Sequence, residues 1–293
     1  MVTVLTAGHV NWDVTLRVDR LPEPDGEVSI RSQRQSGGGS AANVAAALTR
    51  LEVDAGLIGS VGDDDNGLLA RRELERHGID LEGLRVVSDA QTAVKYLLVD
   101  DDGEVAVLGN DGVNEAVRPE HVDPARIRDA DHVHLTGQHP ETAAAIASIA
   151  SEAGVTVSFD PGRRLGDRDY GDALAAADVI FATDREAEAI LESEYPGSTF
   201  GDRTVVLTYG GDGAEVHTPE GSFHHPGFDV DPVDTTGAGD AFAAGFIATH
   251  LETEDVERAL EFANACGALA ASQAGARGAP TMAAVTDFLD DRF

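Results

Sequence analysis

Two rhythms of apolar and polar positions run along the chain. Short, β-branched apolar runs bounded by turn residues predict buried strands at 2–7, 55–61, 132–135, 155–159, 178–181 and 204–208. Between them, apolar residues recur at i, i+4 and i+7, as at Val44, Leu48 and Leu51. That spacing predicts one-faced helices over 41–51, 68–77, 141–153 and 185–191, and two alanine-rich helices, 241–251 and 256–272, to finish the chain. From about residue 130 strand and helix alternate, which predicts a parallel sheet with right-handed crossovers and helices on both faces. The early extended segments do not fit this alternation. Segments 14–18 and 28–32 flank a turn-rich stretch, and 92–99 and 104–109 flank Asp100-Asp-Asp-Gly103 as a hairpin. They predict a small separate sheet, a lid built from about 14–36 and 92–110. No repeat or linker divides residues 1–293, so a single α/β domain is expected.

Charge changes the picture of the surroundings more than of the fold. Fifty-three acidic residues stand against 21 basic ones, a formal net charge of −32, and Lys95 is the only lysine. Such a field repels nucleic acid and anionic membranes, so neither is an expected partner. It implies a salt-rich cytoplasm, a halophilic setting in which screening relieves the self-repulsion. The acid runs 63–65 and 100–102 are read accordingly as solvated surface, not as metal sites. Cys266 is the only cysteine, which excludes an intrachain disulfide. No signal-peptide pattern opens the sequence, and the uncharged run 262–276 is too short to span a bilayer, so a cytoplasmic protein is expected. His132, His134 and His139 around a strand end, and His224-His225 in an expected loop, lack a second ligand pair at zinc-like spacing. Trp12, Phe242 and Phe246 are read as packing.

The richest chemistry lies in Asp234-Thr-Thr-Gly-Ala-Gly-Asp240, which runs into an apolar helix. Gly237 and Gly239 permit a tight turn whose N–H groups point at one anion, and the helix adds its positive end. A carboxylate within such a turn repels phosphate, yet serves as a base toward a hydroxyl while the amides neutralise a transferring phosphoryl group. Taken alone, the string also fits a glycine-rich turn with an acid at a helix start. A Walker A sequence and a Gly-x-Gly-x-x-Gly after a strand are both absent, which argues against P-loop and dinucleotide-binding readings.

Asp-Thr-Thr-Gly-Ala-Gly-Asp-Ala-Phe resembles the C-terminal signature of the ribokinase-like (PfkB) carbohydrate kinases. Gly37-Gly38-Gly39-Ser-Ala-Ala-Asn43 resembles their N-terminal signature, and Ile58-Gly-Ser-Val-Gly-Asp63 with Gly67 the segment that follows it. The matches come in order and reach from Gly8 to about Pro280. The resemblance implies a ribokinase-like α/β fold, with a central, mostly parallel sheet, helices on both faces and a small β-sheet lid. It implies Asp240 as base, with Gly237, Ala238 and Gly239 as the anion hole, and Asp13, Gly38, Gly39 and Asn43 around the sugar. On the nucleotide side it implies Thr183, Glu186, Thr208, Gly210, Gly213 and Asn264, with Glu186 acting on Mg²⁺ through water and Asp234 beside a monovalent cation such as K⁺.

Two departures stand out: Thr183 replaces the usual Asn of an Asn-x-x-Glu motif, and Asp160-Pro-Gly-Arg163 replaces Asp-x-Asn-x-Arg. Arg163 or Arg164 becomes a candidate for a substrate phosphate or carboxylate. The implied activity is ATP- and Mg²⁺-dependent transfer of the γ-phosphoryl group to a sugar hydroxymethyl group. Rival readings are a nucleoside, 2-keto-3-deoxygluconate or fructose-phosphate kinase, or a catalytically silent sugar- or nucleotide-binding regulator. Dimerisation through the lid, known in some relatives, is a further implication.

Overall fold

In a computed structural model, residues 3–187, 203–253, 255–273 and 275–292 are described. The apolar runs form the centre of a nine-stranded sheet among these residues. Strands β1 (Val4–Ala7), β4 (Ala55–Gly62), β8 (His132–Thr136), β9 (Thr156–Asp160), β10 (Val179–Thr183) and β11 (Thr204–Thr208) all pair in parallel. Alternate residues of each strand enter opposite layers. Val4, Leu57, Phe181 and Val206 join one apolar cluster; Leu5, Ile58, Ile180 and Phe159 join the other. The first cluster holds α1 (Ser40–Arg50), α2 (Asp65–Arg76), α6 (Ala238–Glu252) and α7 (Val256–Ala271). Helices α3 (Pro124–Arg128), α4 (Pro140–Ala153) and α5 (Gly171–Ala176) cover the other face. Phe242 and Phe246 are core, as read from the sequence. Phe246 meets Phe181 edge-on at 5.6 Å.

The margins depart from expectation. Strand β5 (Leu84–Val87) extends one edge of the sheet, and an antiparallel hairpin, β12 (Ala214–Thr218) and β13 (Gly221–His225), extends the other beyond β11. His224 and His225 therefore lie in a strand, not a loop. A further helix, α8 (Met282–Asp290), ends the chain, capped by Thr281 accepting from the Ala284 amide. The helix expected at 185–191 begins by Asp184, and its part beyond residue 187 lies outside the described residues. His132 and His134 are buried and share the Ser158 hydroxyl at 2.7 and 2.8 Å. Burial pushes both down to about 3, so they pack as neutral rings.

Two of the acid runs are more than solvated surface. Asp64 caps α2 through the Gly67 amide and also receives the Thr92 hydroxyl at 2.6 Å. Asp100 is 5 % exposed and gathers the amides of Asp102 and Glu104. Short loops leave donors that a carboxylate satisfies better than water does.

The extended segments form a separate four-stranded sheet, ordered β3 (Ile30–Gly38), β2 (Asn11–Val18), β6 (Ala93–Val99) and β7 (Val105–Asn110). It begins earlier than expected, because β2 starts at Asn11, two residues before Asp13. Trp12 is buried there and donates to Gln35 at 3.3 Å. Of the helix pair α6 and α7, Gly245 packs so closely against Cys266 that an added β-carbon would lie 2.7 Å from its sulfur.

Candidate active site

Residues far apart in sequence meet where the small sheet faces the carboxyl ends of the parallel strands, the usual place for a ligand in open α/β sheets. Asp13 comes from β2, Asn43 from the first turn of α1, and Asp240 from the first turn of α6. The Asn43 side-chain amide donates to Asp240 at 2.8 Å. The Asp13 carboxylate lies over Gly38, where a β-carbon would fall 2.1 Å from Oδ2. Only glycine fits there. Gly39 is the N-cap of α1, so the glycine run both makes room for Asp13 and starts the helix that presents Asn43.

Asp13 is 9 % exposed, and its Oδ1 is buried without a hydrogen-bond partner among the described residues. Burial raises its pKa, against the opposing charges of Lys95 and Arg277. An orphaned, buried acceptor is costly unless a ligand donor completes it. Asp240 is pushed up to about 6, chiefly by burial; the Asn43 and Ser40 hydrogen bonds and Lys95 oppose the rise, and Asp13 adds to it. A carboxylate there is still ionised at neutral pH and more basic than an ordinary aspartate, which suits a general base.

Gly237 is the N-cap of α6 at φ +80°, and a β-carbon on it would meet the Ala276 carbonyl at 2.1 Å. Left-handed backbone and close approach both demand glycine. The Ala238 amide closes a turn onto the Thr235 carbonyl at 3.2 Å, whereas those of Gly237 and Gly239 have no protein acceptor among the described residues. Asp234 holds this turn to the following loop, receiving the Thr236 amide at 3.0 Å and the Gly275 amide at 2.9 Å.

Of the residues expected around the nucleotide, all but Asn264 sit at or just beyond the ends of the neighbouring strands β10 and β11. Thr183 and Glu186 cap each other: Glu186 receives the Thr183 amide at 2.9 Å, and Thr183 the Glu186 amide at 3.4 Å. Threonine can therefore stand where the family has asparagine, since the reciprocal cap needs only an acceptor. Thr208 ends β11, followed by a single turn in which Gly210 and Gly213 have positive φ. Asn264 is buried in α7 and donates to the Leu260 carbonyl at 2.8 Å, so it is not the solvent-facing asparagine common in helices. Arg163 is exposed on the turn after β9.

Three residues join the site without having been singled out for it. Asp160, the last residue of β9, is pushed up to about 7 by burial and by the charges of Glu186 and Asp240. Arg277 is 5 % exposed; it donates to Glu73 at 2.8 Å and to Asn43 at 3.4 Å. Glu73 in turn receives the Gly37 amide at 2.9 Å, tying α2 to the glycine run. Lys95 lies in register with Asp13 on the neighbouring strand. One signal for Arg277 was in the sequence: it stands alone in an acid-free stretch, 263–280, of an acid-rich chain.

A glycine turn with open amides, a buried carboxylate at a helix start and a second carboxylate in the small sheet together suit a phosphotransferase of the ribokinase type. The chain belongs to the pfkB family of carbohydrate kinases, whose family description matches residues 1–282. It is 77 % identical, over the whole of both chains, to the ATP-dependent ribose-1-phosphate kinase of Halopiger xanaduensis. Its fold matches ribokinase from Thermotoga maritima with a TM-score of 0.88 at 24 % identity, covering 99 % of this chain and 100 % of that one. Arabidopsis thaliana ribokinase, in complex with ribose and ATP, matches with the same TM-score and identity over 99 % of each chain. The protein is a sugar kinase of this family, and no described helix is long and apolar enough to cross a membrane.

Proposed function

We propose that the protein transfers the γ-phosphoryl group of ATP to the hydroxymethyl group of ribose 1-phosphate. The relative that is 77 % identical end to end is an ATP-dependent ribose-1-phosphate kinase. The observation that carries the reading within the site is the buried, unpartnered Oδ1 of Asp13, an acceptor for sugar hydroxyls placed close to the Asn43–Asp240 pair. Asp13 accepts the vicinal diol and Asn43 orients Asp240. Asp240 takes the proton of the hydroxymethyl group as its oxygen attacks the γ-phosphorus in line. The Gly237 and Gly239 amides, with the positive end of α6, stabilise the transferring group. The lid of 14–36 and 92–110 lies over the sugar and excludes water.

The carboxylates of Asp160 and Glu186, the second close enough for its charge to help push the first up, form a hard-oxygen donor set that fits Mg²⁺. They would hold it largely through its water shell, where it supplies charge neutralisation of the nucleotide phosphates. Thr208, Gly210, Gly213 and Asn264 line the nucleotide side. Asp234, joining two loops, is proposed to sit beside a potassium ion.

The test is ADP release from Mg-ATP in molar KCl against ribose 1-phosphate, ribose, nucleosides, fructose phosphates and 2-keto-3-deoxygluconate. Ribose 1-phosphate is expected to have the highest kcat/KM, and replacing KCl by NaCl to slow turnover. A higher kcat/KM for any other acceptor overturns the substrate, and equal rates in the two salts overturn the potassium site.

A cytoplasmic protein of a salt-rich cell follows from the net charge of −32. A homodimer through the lid is the reading supported by Tyr96, Val105, Val107 and Leu108, which lie exposed on β6 and β7. Light scattering in molar KCl is expected to give twice the chain mass, and dilution into low salt to unfold the protein as self-repulsion is unscreened. A monomeric mass, or a native far-ultraviolet spectrum in dilute buffer, contradicts the respective statement.

A further inference from the structure

We infer that Lys95 is the specificity-determining residue of the acceptor pocket, holding a phosphate group of the sugar beside Asp13, with the buried Arg277 as the second cation of that subsite. The inference rests on the reading of a phosphorylated acceptor and assigns the residues that select it.

Lys95 is the only lysine of a chain with 53 acidic residues. It lies in β6, with Asp13 of β2 as its partner in parallel register, so both side chains project from one face of the sheet. Gly109 is its partner on the opposite side, in β7. A β-carbon on Gly109 would lie 3.6 Å from the Lys95 Cγ, so the lysine stem crosses a position that carries no side chain of its own. The side chain is exposed and makes no ion pair among the described residues, although its charge is close enough to Asp13 and Asp240 to oppose the rise of both carboxyl pKa values. A lysine placed only to balance Asp13 would pair with it.

Arg277 approaches the same carboxylates from the glycine-run side, with its guanidinium against the Gly37 backbone. One of its terminal nitrogens is committed to Glu73, while Nη2 is buried with no acceptor among the described residues. A buried guanidinium donor without an acceptor is costly and marks a missing anion. The electrostatics need both cations. Asp13 and Asp240 would repel a phosphate dianion on the acceptor, and two positive groups flanking Asp13 offset that repulsion. A lysine suits this place as a compact point charge that follows the phosphate as the lid closes.

The experiment compares wild type, Lys95→Met and Lys95→Arg with ribose 1-phosphate and with unphosphorylated ribose, in molar KCl. In Lys95→Met, kcat/KM for ribose 1-phosphate is expected to fall about 30-fold further than that for ribose, with most of the loss in KM. Lys95→Arg is expected to regain most of the discrimination. Equal losses on both acceptors, or none, overturn the assignment. If wild type does not use ribose 1-phosphate, the substrate reading falls and the subsite is judged by equilibrium dialysis of inorganic phosphate. Millimolar binding by wild type, weakened about tenfold or more in Lys95→Met, upholds the subsite. No binding by wild type, or equal binding by the variant, overturns it.

Discussion

Replacing Asp240 by asparagine is expected to lower kcat about 10³-fold or more while leaving ATP affinity within about threefold. Asparagine keeps the shape and can still meet the Asn43 amide, but it cannot take the hydroxyl proton. The same carboxyl is expected to set the acid limb of the wild-type profile. Its pKa is pushed up to about 6 by burial, so kcat/KM is expected to fall tenfold per pH unit below that value. The variant should lack that limb. Stability should move the other way. The folded pKa lies above the unfolded one, so the charged form is penalised above about 6 and the penalty vanishes below the model-peptide value of 3.8. Asp240→Asn in the ligand-free protein is therefore expected to gain about 1–2 kcal/mol at pH 7.5, a gain that fades toward pH 4. Thermal melts at the two pH values read it directly. Retained turnover in the variant would move the base elsewhere.

What was legible in the sequence followed burial. Strands buried on both faces, such as β4 and β11, read as continuous apolar runs and were placed almost to the residue. The β12–β13 hairpin was not, because only Ala214 and Val216 are buried in it and polar residues, among them His217, His224 and His225, take most of its other positions. Edge strands covered on one side carry half the signal over five residues, too short for the alternation to stand out. Helix α8 was hidden for a related reason: Val285 is its only fully buried residue, and its cap at Thr281 follows a glycine-rich loop.

The site divides along a different line. Asp13, Gly38, Asn43, Gly237 and Asp240 were expected because each lies in a short motif that resembles a family signature, and the structure brings Asn43 into contact with Asp240. Arg277 and Asp160 were not, since their roles come from the ends of other elements. Nothing near Arg277 in sequence announces Glu73, 204 residues away. The argument for Arg163 rested on its chemistry alone, and the cations that the fold brings near Asp13 are Lys95 and Arg277.

Those two cations make the effect of removing Asp13 acceptor-dependent. Asp13→Ala is expected to lower kcat/KM for the sugar by about 10²-fold or more, since each charge-assisted hydrogen bond to a hydroxyl contributes about 1.5–3 kcal/mol and Asp13 can accept two. ATP affinity should hardly change, because Asp13 lies in the small sheet, away from the strand ends of Thr183 and Thr208 that are proposed for the nucleotide. Deleting the carboxylate also removes a charge that opposes an acceptor phosphate and leaves Lys95 and Arg277 less neutralised. The loss should therefore be smaller for ribose 1-phosphate than for ribose, so the ratio of their kcat/KM values rises in Asp13→Ala and falls in Lys95→Met. A purely structural role for Asp13 would lower both acceptors alike and leave that ratio where it is in wild type. Measuring kcat/KM for the two acceptors in Asp13→Ala thus tests the diol contact by the size of the loss, and the charge balance around it by the direction in which the ratio moves.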